Sequence, residues 1–239
     1  MKIDCKGKKY DILNSEISSV EGEIVLDNCI GQRFIGAGAS NKTITINGVP
    51  GNALGAYLNG AHIIVNGNAQ DASGDTMNDG RIVVNGSCGD AAGYAMRGGE
   101  IFIKGDVGYR AGIHMKAYAD KTPVLIFGGK CGCFLGEYQA GGMIVALGLG
   151  MEDKDILGDF CATGMHGGKI FVRADELHTK LSAQLCTRVA TEEDLAQIAP
   201  HIKEFCKCFG ISESEVYSKP FQVLYPNSHN PYKQLYIQN

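Results

Sequence analysis

The chain has 239 residues, with 22 basic against 26 acidic side chains and a formal net charge of −4, which gives no basic footprint for nucleic acid. That length suits one large domain with an appendage and can bury a sizeable core. Its 33 glycines are about twice the usual share of roughly 7%, and no apolar run reaches the ~18 residues that would cross a bilayer.

Residues 1–30 form a lead-in, with Asn14 or Ser15 as a candidate N-cap of a short helix and Glu23–Leu26 as a first strand. The phrase Gly31-Gln-Arg-Phe-Ile-Gly-Ala-Gly38 then suggests a phosphate loop, but position 41 is Asn where the third glycine would stand. No strand–helix–strand pattern surrounds it either. It is read as the first corner of a repeat.

Residues 31–173 carry that repeat. Gly36, Gly55, Gly74, Gly93 and Gly112 recur every 19 residues, and Gly136 follows after 24. A second line runs Gly48, Gly67, Gly86 and Gly105, then Gly128 and Gly148. Ahead of it stand short β-branched phrases: Ile44–Ile46, Ile63–Val65, Ile82–Val84, Ile101–Ile103, Val124–Ile126, Ile144–Ala146 and, after an insertion, Ile170–Val172. One short strand per repeat cannot bury its own face, so the repeats must stack. About seven coils would rise roughly 34 Å at ~4.8 Å per step. The fold class is all-β, a right-handed parallel β-helix with a mostly helical C-terminal appendage. A leucine-rich repeat lacks its leucine pattern here, and propeller blades need about twice the period.

The glycines are expected at corners, where φ > 0 is needed, and Asn47, Asn66 and Asn85 precede glycine at one corner, where their amides can bond along the stack. Within each strand the first and third residues should face inward. The middle residues Ile64, Val83, Phe102 and Leu125, with Val145 beyond them, form an outward row that is also apolar. That row is a candidate interface, covered either by the tail or by another protein.

From residue 174 to 239 the composition turns helical. Leu177, Leu181 and Leu185 suit one helix. Thr191 with Asp194 opens another, carrying Leu195, Ile198, Ile202, Phe205 and Phe209 on one stripe, with Pro200 dividing it into two helices or starting the second, and Gly210 stopping it. Ser212 caps a short helix, and Phe221–Tyr225 is extended. Nine cysteines without an apolar leader ahead of them are read as thiols in a reducing cytoplasm, most of them small buried hydrophobes. The six histidines show no metal-ligand spacing, Asp71, Asp90 and Asp106 are not expected to form one stacked row, and His114 and His166 are taken as surface residues near corners.

On Gly31–Gly38, the Gly-x-x-x-Gly phrases at 89–93 and 108–112, Gly164–Val172 and Phe221–His229, the sequence resembles the β-helical C-terminal domain of the glutamate synthase large chain, in a stand-alone subunit form. One subunit of formylmethanofuran dehydrogenase and one of N-methylglutamate synthase resemble the same pattern. The resemblance implies a structural subunit of an oxidoreductase that makes glutamate from glutamine and 2-oxoglutarate. FMN and iron–sulfur clusters would then sit in partner subunits, a glutaminase and a flavoprotein, with a homo-oligomer as the other assembly. No catalytic, cofactor or metal residue is expected in this chain. It starts Met1-Lys2 rather than with the cysteine of a class II glutaminase, and its repeats exclude a flavin barrel. The competing class is a stand-alone carbohydrate-active β-helix enzyme using paired carboxylates.

Overall fold

The β-branched phrases form strands that stack in register, one per coil. A computed structural model describes residues 1–227; Ser228, His229 and the rest of the tail to 239 lie outside the described residues. The strands are β1 (Lys2–Asp4), β2 (Gly22–Ile30), β3 (Lys42–Val49), β4 (Asn59–Asn66), β5 (Asp79–Val84), β6 (Glu100–Ile103), β7 (Val124–Phe127), β8 (Ala140–Ala146), β9 (Gly167–Arg173), β10 (Leu185–Val189) and β11 (Phe221–Pro226). The helices are α1 (Tyr10–Ser18), α2 (Glu192–Phe209) and α3 (Glu213–Val216). All the strands join one sheet, parallel and in chain order from β1 to β9. It is a β-solenoid of about eight turns. The sheet then reverses: β11 lies antiparallel on β9, and β10 antiparallel on β11. Residues 1–30 and 174–227 therefore both contribute strands to the same sheet.

Two inward columns fill the solenoid. Ile44, Ile63, Ile82, Ile101, Leu125, Ile144 and Ile170 pair in succession, as do Ile46, Val65, Val84, Ile103, Phe127, Ala146 and Val172. All are buried, and each large side chain withdrawn from water contributes about 1.5–3 kcal/mol. Leu13 and Ile17 of α1 join this core from one end. Leu177 and Leu181, from an irregular stretch that leads into β10, and Leu185, the first residue of β10, pack against it as partly buried side chains. The leucine spacing suggests a helix there, but a path across the open end of the stack buries the same side chains.

The outward row is corrected by the structure in two ways. Leu125 pairs with Ile101 and faces inward, while Ile126 pairs with Phe102. Gly128 and Gly129 offer two registers for the long coil, and the backbone takes the second, since the Gly129 N–H bonds the Gly105 carbonyl. A one-residue shift exchanges the two faces of a strand. Secondly, the row is not an open strip. Val83, Phe102, Ile126, Val145 and Phe171 form a second core with Ile198, Ile202, Phe205 and Phe209 of α2 and with Phe221 and Val223 of β11. Val83, Phe102 and Leu125 are buried within this chain, and Ile64, beyond the reach of α2, is half-buried.

Local signals place α2. Thr191 Oγ1 accepts the Asp194 N–H and the Asp194 carboxylate accepts the Thr191 N–H, a complete capping box, and Gly210 ends the helix at φ 65°. Pro200 stands inside the helix without dividing it. It costs about 3 kcal/mol, which the stripe buried on both sides of it offsets. In α1 the N-cap is Lys9, not Asn14 or Ser15, which lie within the helix. Burial of Leu13 and Ile17 sets the helix, and the Asn14 amide donates instead to the Arg33 carbonyl at 2.9 Å.

Candidate functional site

Every coil turns through the same corner. Residues two apart take left-handed φ three times in succession, as in Ala53, Gly55 and Tyr57, then Ala72, Gly74 and Thr76, and on to Phe134, Gly136 and Tyr138. Their N–H groups point alternately along the stack: Ala72 donates to Asp90 on one side, Gly74 to Leu54 on the other, and Thr76 to Tyr94. The middle residue must be small. A Cβ on Gly74 would lie 2.3 Å from Ile101 Cδ1 of the inward column, and the same column includes the expected turn residues Gly36, Gly55, Gly93, Gly112 and Gly136, all at positive φ. Ala162 occupies this position in the last corner, at φ 57°, where among the described residues no further corner of this kind follows. In the second glycine line Gly48 and Gly148 also have positive φ, but Gly86, Gly105 and Gly128 do not. Gly86 is not left-handed, and a Cβ there would lie 2.8 Å from the Gly67 carbonyl oxygen, so close approach of neighbouring coils excludes a side chain.

Polar columns lock the coils. Asn47 Nδ2 donates to Asp27 Oδ1 at 2.7 Å, Asn66 Nδ2 to Asn47 Oδ1 at 2.8 Å and Asn85 Nδ2 to Asn66 Oδ1 at 3.2 Å, the ladder the sequence suggests. Asp71, Asp90 and Asp106 do not form one stacked row, as expected, although Asp71 and Asp90 share a column in which each accepts the backbone N–H of the next coil's residue, Asp90 and Tyr109. Asp106 stands in a neighbouring column and accepts from Lys130. These carboxylates are engaged by the stack. Cysteines fill a small-residue column, in which Cys88 bridges Ala69 and Val107, and Val107 bridges Cys131. Burial pushes the Cys88 thiol up to about 12 and the Cys131 thiol to about 11.

The outer side of the corners presents aromatic groups. His114 stacks on Tyr138 at 5.2 Å between centroids and meets Tyr94 edge-on at 6.0 Å. Phe134 stacks on Phe160 at 5.0 Å, and the Arg110 guanidinium lies 4.8 Å from the Phe134 centroid. Tyr94, Tyr109, His114, Tyr138 and Phe160 are all exposed. By sequence alone His114 is an isolated surface residue; the signal that places it is position, since 95, 114 and 138 fall in one column of successive corners. His166 sits at the last corner with Nδ1 3.1 Å from the Gly164 carbonyl.

A second polar cluster forms where α2 crosses the sheet. His201 Nδ1 and Glu100 Oε1 are 2.6 Å apart, Arg81 bonds Glu100 and Glu204, and Lys169 Nζ donates to Asp194 Oδ1 at 2.8 Å and to Gln197 Oε1 at 3.0 Å. Burial alone would raise the Glu100 carboxyl, but its bonds to His201 and Arg81 outweigh burial and hold it below its ordinary value. Arg188, with Lys169 and Thr191, holds the Asp194 carboxyl well below the usual range against the opposing effect of burial. Among the described residues no three His, Cys, Asp or Glu side chains are grouped to hold a metal ion, and no helix is long and apolar enough to cross a membrane.

Comparison with known proteins agrees with this architecture. Uncharacterized protein MJ1350 of Methanocaldococcus jannaschii is 44% identical over 248 residues, spanning 98% of this chain and 95% of its own length. The GXGXG motif family matches residues 8–227, a span that takes in the coils from β2 onward, the covering helix and β11. With the glycine columns, the corners and strands β2 to β11 inside that match, the protein belongs to the GXGXG motif family, that of the C-terminal domain of the glutamate synthase large chain.

Proposed function

We propose that the protein is a non-catalytic structural subunit of a glutamate-synthase-like oxidoreductase, which forms glutamate from glutamine and 2-oxoglutarate. Its corner face docks the glutaminase and flavoprotein subunits, and FMN and iron–sulfur clusters belong to those partners. The observation that supports this reading is the exposed aromatic face of Tyr94, His114, Tyr138 and Phe160 on consecutive corners. Backbone bonds between coils fix these rings in place, so docking costs little ordering entropy, and aromatic anchors dominate interface energetics. The carboxylates that a carbohydrate-active solenoid would need are engaged in backbone bonds at Asp71, Asp90 and Asp106.

Size-exclusion of the protein mixed with a glutaminase and an FMN flavoprotein of the same organism tests this. Co-elution is expected, and His114→Glu with Tyr138→Glu should weaken it roughly tenfold or more while leaving thermal melting unchanged. A protein that elutes alone in all mixtures, or that itself releases ammonia from glutamine, would overturn the reading.

A further inference from the structure

We infer that the cleft between α2 and the first halves of β8 and β9 is a binding site for an organic carboxylate with an apolar body. The cleft has a volume of about 500 Å³, within the range of small-molecule sites. Thr122, Met143, Lys169, Gln197 and His201 line it over a glycine floor that includes Gly168, and no carboxylate does.

The chemistry of the lining is that of a donor set. Gln197 Oε1 already accepts from Lys169 Nζ, which leaves the amide NH₂ as the group available to a ligand. The Lys169 ammonium has three protons, and Asp194 and Gln197 take two of them. Its charge also survives the pairing, because Asp194 is shared with Arg188 and the three groups together keep one net positive charge. His201 is tied to Glu100 through Nδ1, so Nε2 is the ring nitrogen a ligand would meet. Glu100 and Glu204 both bond Arg81 and stand behind His201, outside the lining. Met143 supplies an apolar wall beside these donors. A carboxylate satisfies the Lys169 and Gln197 donors, and an apolar body fills the remaining volume.

The site joins two parts of the fold, since Thr122, Met143 and Lys169 belong to the solenoid while Gln197 and His201 belong to α2. A ligand bridging them holds α2 down and raises the melting temperature, as any ligand of the native state does.

Benzoate and benzylamine share a ring and differ in charge, so they serve as probe and control. Amide chemical shifts and thermal melts of the full-length protein are followed during titration with each. Benzoate is expected to raise the melting temperature and to shift the amides of Gly142, Met143, Gly168 and Lys169 saturably, with benzylamine binding at least roughly tenfold more weakly. Gln197→Glu keeps an acceptor for Lys169 but places a negative charge in the cleft, and should weaken benzoate about tenfold or more. Equal response to the two probes, shifts that map elsewhere, or undiminished benzoate binding by Gln197→Glu would overturn the inference. The shift map of the parent protein decides it alone if that variant folds poorly.

Discussion

Phe102 on β6 and Phe205 on α2 meet edge to face, with ring centroids 6.0 Å apart and planes at 75°. Phe205 in turn meets Phe209 at 4.8 Å, and all three rings lie in the core between helix and sheet. Phe205→Ala should cost about 3–5 kcal/mol, a fall of roughly 10 °C in melting temperature for a domain of this size. Phe102→Glu should be worse, because it buries a charge. Calorimetry of both variants checks this; parent-like melting of Phe102→Glu would mean that α2 leaves the sheet readily.

The corner glycines differ in their tolerance. At Gly74 a Cβ meets Ile101 Cδ1 at 2.3 Å, whereas at Gly93 the nearest atom, Leu125 Cδ2, is 3.7 Å away. Both have left-handed φ, which costs about 1–2 kcal/mol with a side chain. Gly93→Ala should therefore lose little beyond that strain, and Gly74→Ala clearly more, since Ile101 must move. Denaturant titration ranks the two, and equal losses would place the cost in backbone strain alone.

Asp194 makes stability depend on acid. Its folded carboxyl lies below the ordinary value because Arg188, Lys169 and Thr191 hold the ionised form. The contribution is therefore complete above the unfolded value of about 4 and is lost as pH falls from there toward the folded value. Asp194→Asn should melt lower than the parent at pH 7, and the gap should narrow between about pH 5 and pH 2. A constant gap across that range would assign the role of Asp194 to packing.

Thiol reactivity should divide by burial. Cys133, Cys186 and Cys208 are half-buried, while Cys5, Cys29, Cys88, Cys131, Cys161 and Cys206 are buried, and burial raises the Cys88 and Cys161 thiols. Because the thiolate is the reactive form, a mild-alkaline thiol reagent should modify at most those three rapidly in the native protein and all nine in denaturant. Rapid native modification of Cys88 or Cys161 would show that the coils open.

Where one residue type recurs in one chemical role, the sequence shows the structure directly. The Asn47, Asn66 and Asn85 ladder, the corner column from Gly36 to Gly136 and the Thr191–Asp194 capping box are each legible from spacing, the first two because the same contact repeats from coil to coil and the third because it is local. Spacing misplaces Leu125 because Gly128-Gly129 allows two registers, and only stacking against Gly105 selects one. Pro200 and the Leu177–Leu185 stretch depart from their local signals because burial against distant strands overrides propensity. The cleft beside Lys169 is invisible in the sequence, since its walls lie on segments more than 20 residues apart with no shared spacing.

The two ends of the sheet determine how separate copies of the molecule meet. A stack of parallel coils offers its last strand as a template, and an uncapped stack would recruit further copies into a fibre. Here β1 is three residues long with exposed Lys2 and Asp4, and at the other end β11 interrupts the parallel run and β10 follows it, with Arg188 exposed on the outermost strand among the described residues. A further coil would meet a largely exposed five-residue strand there and a short, charged edge at the opposite end. Among the described residues, both edges of the sheet are thus poor templates for stacking one copy end-on upon another.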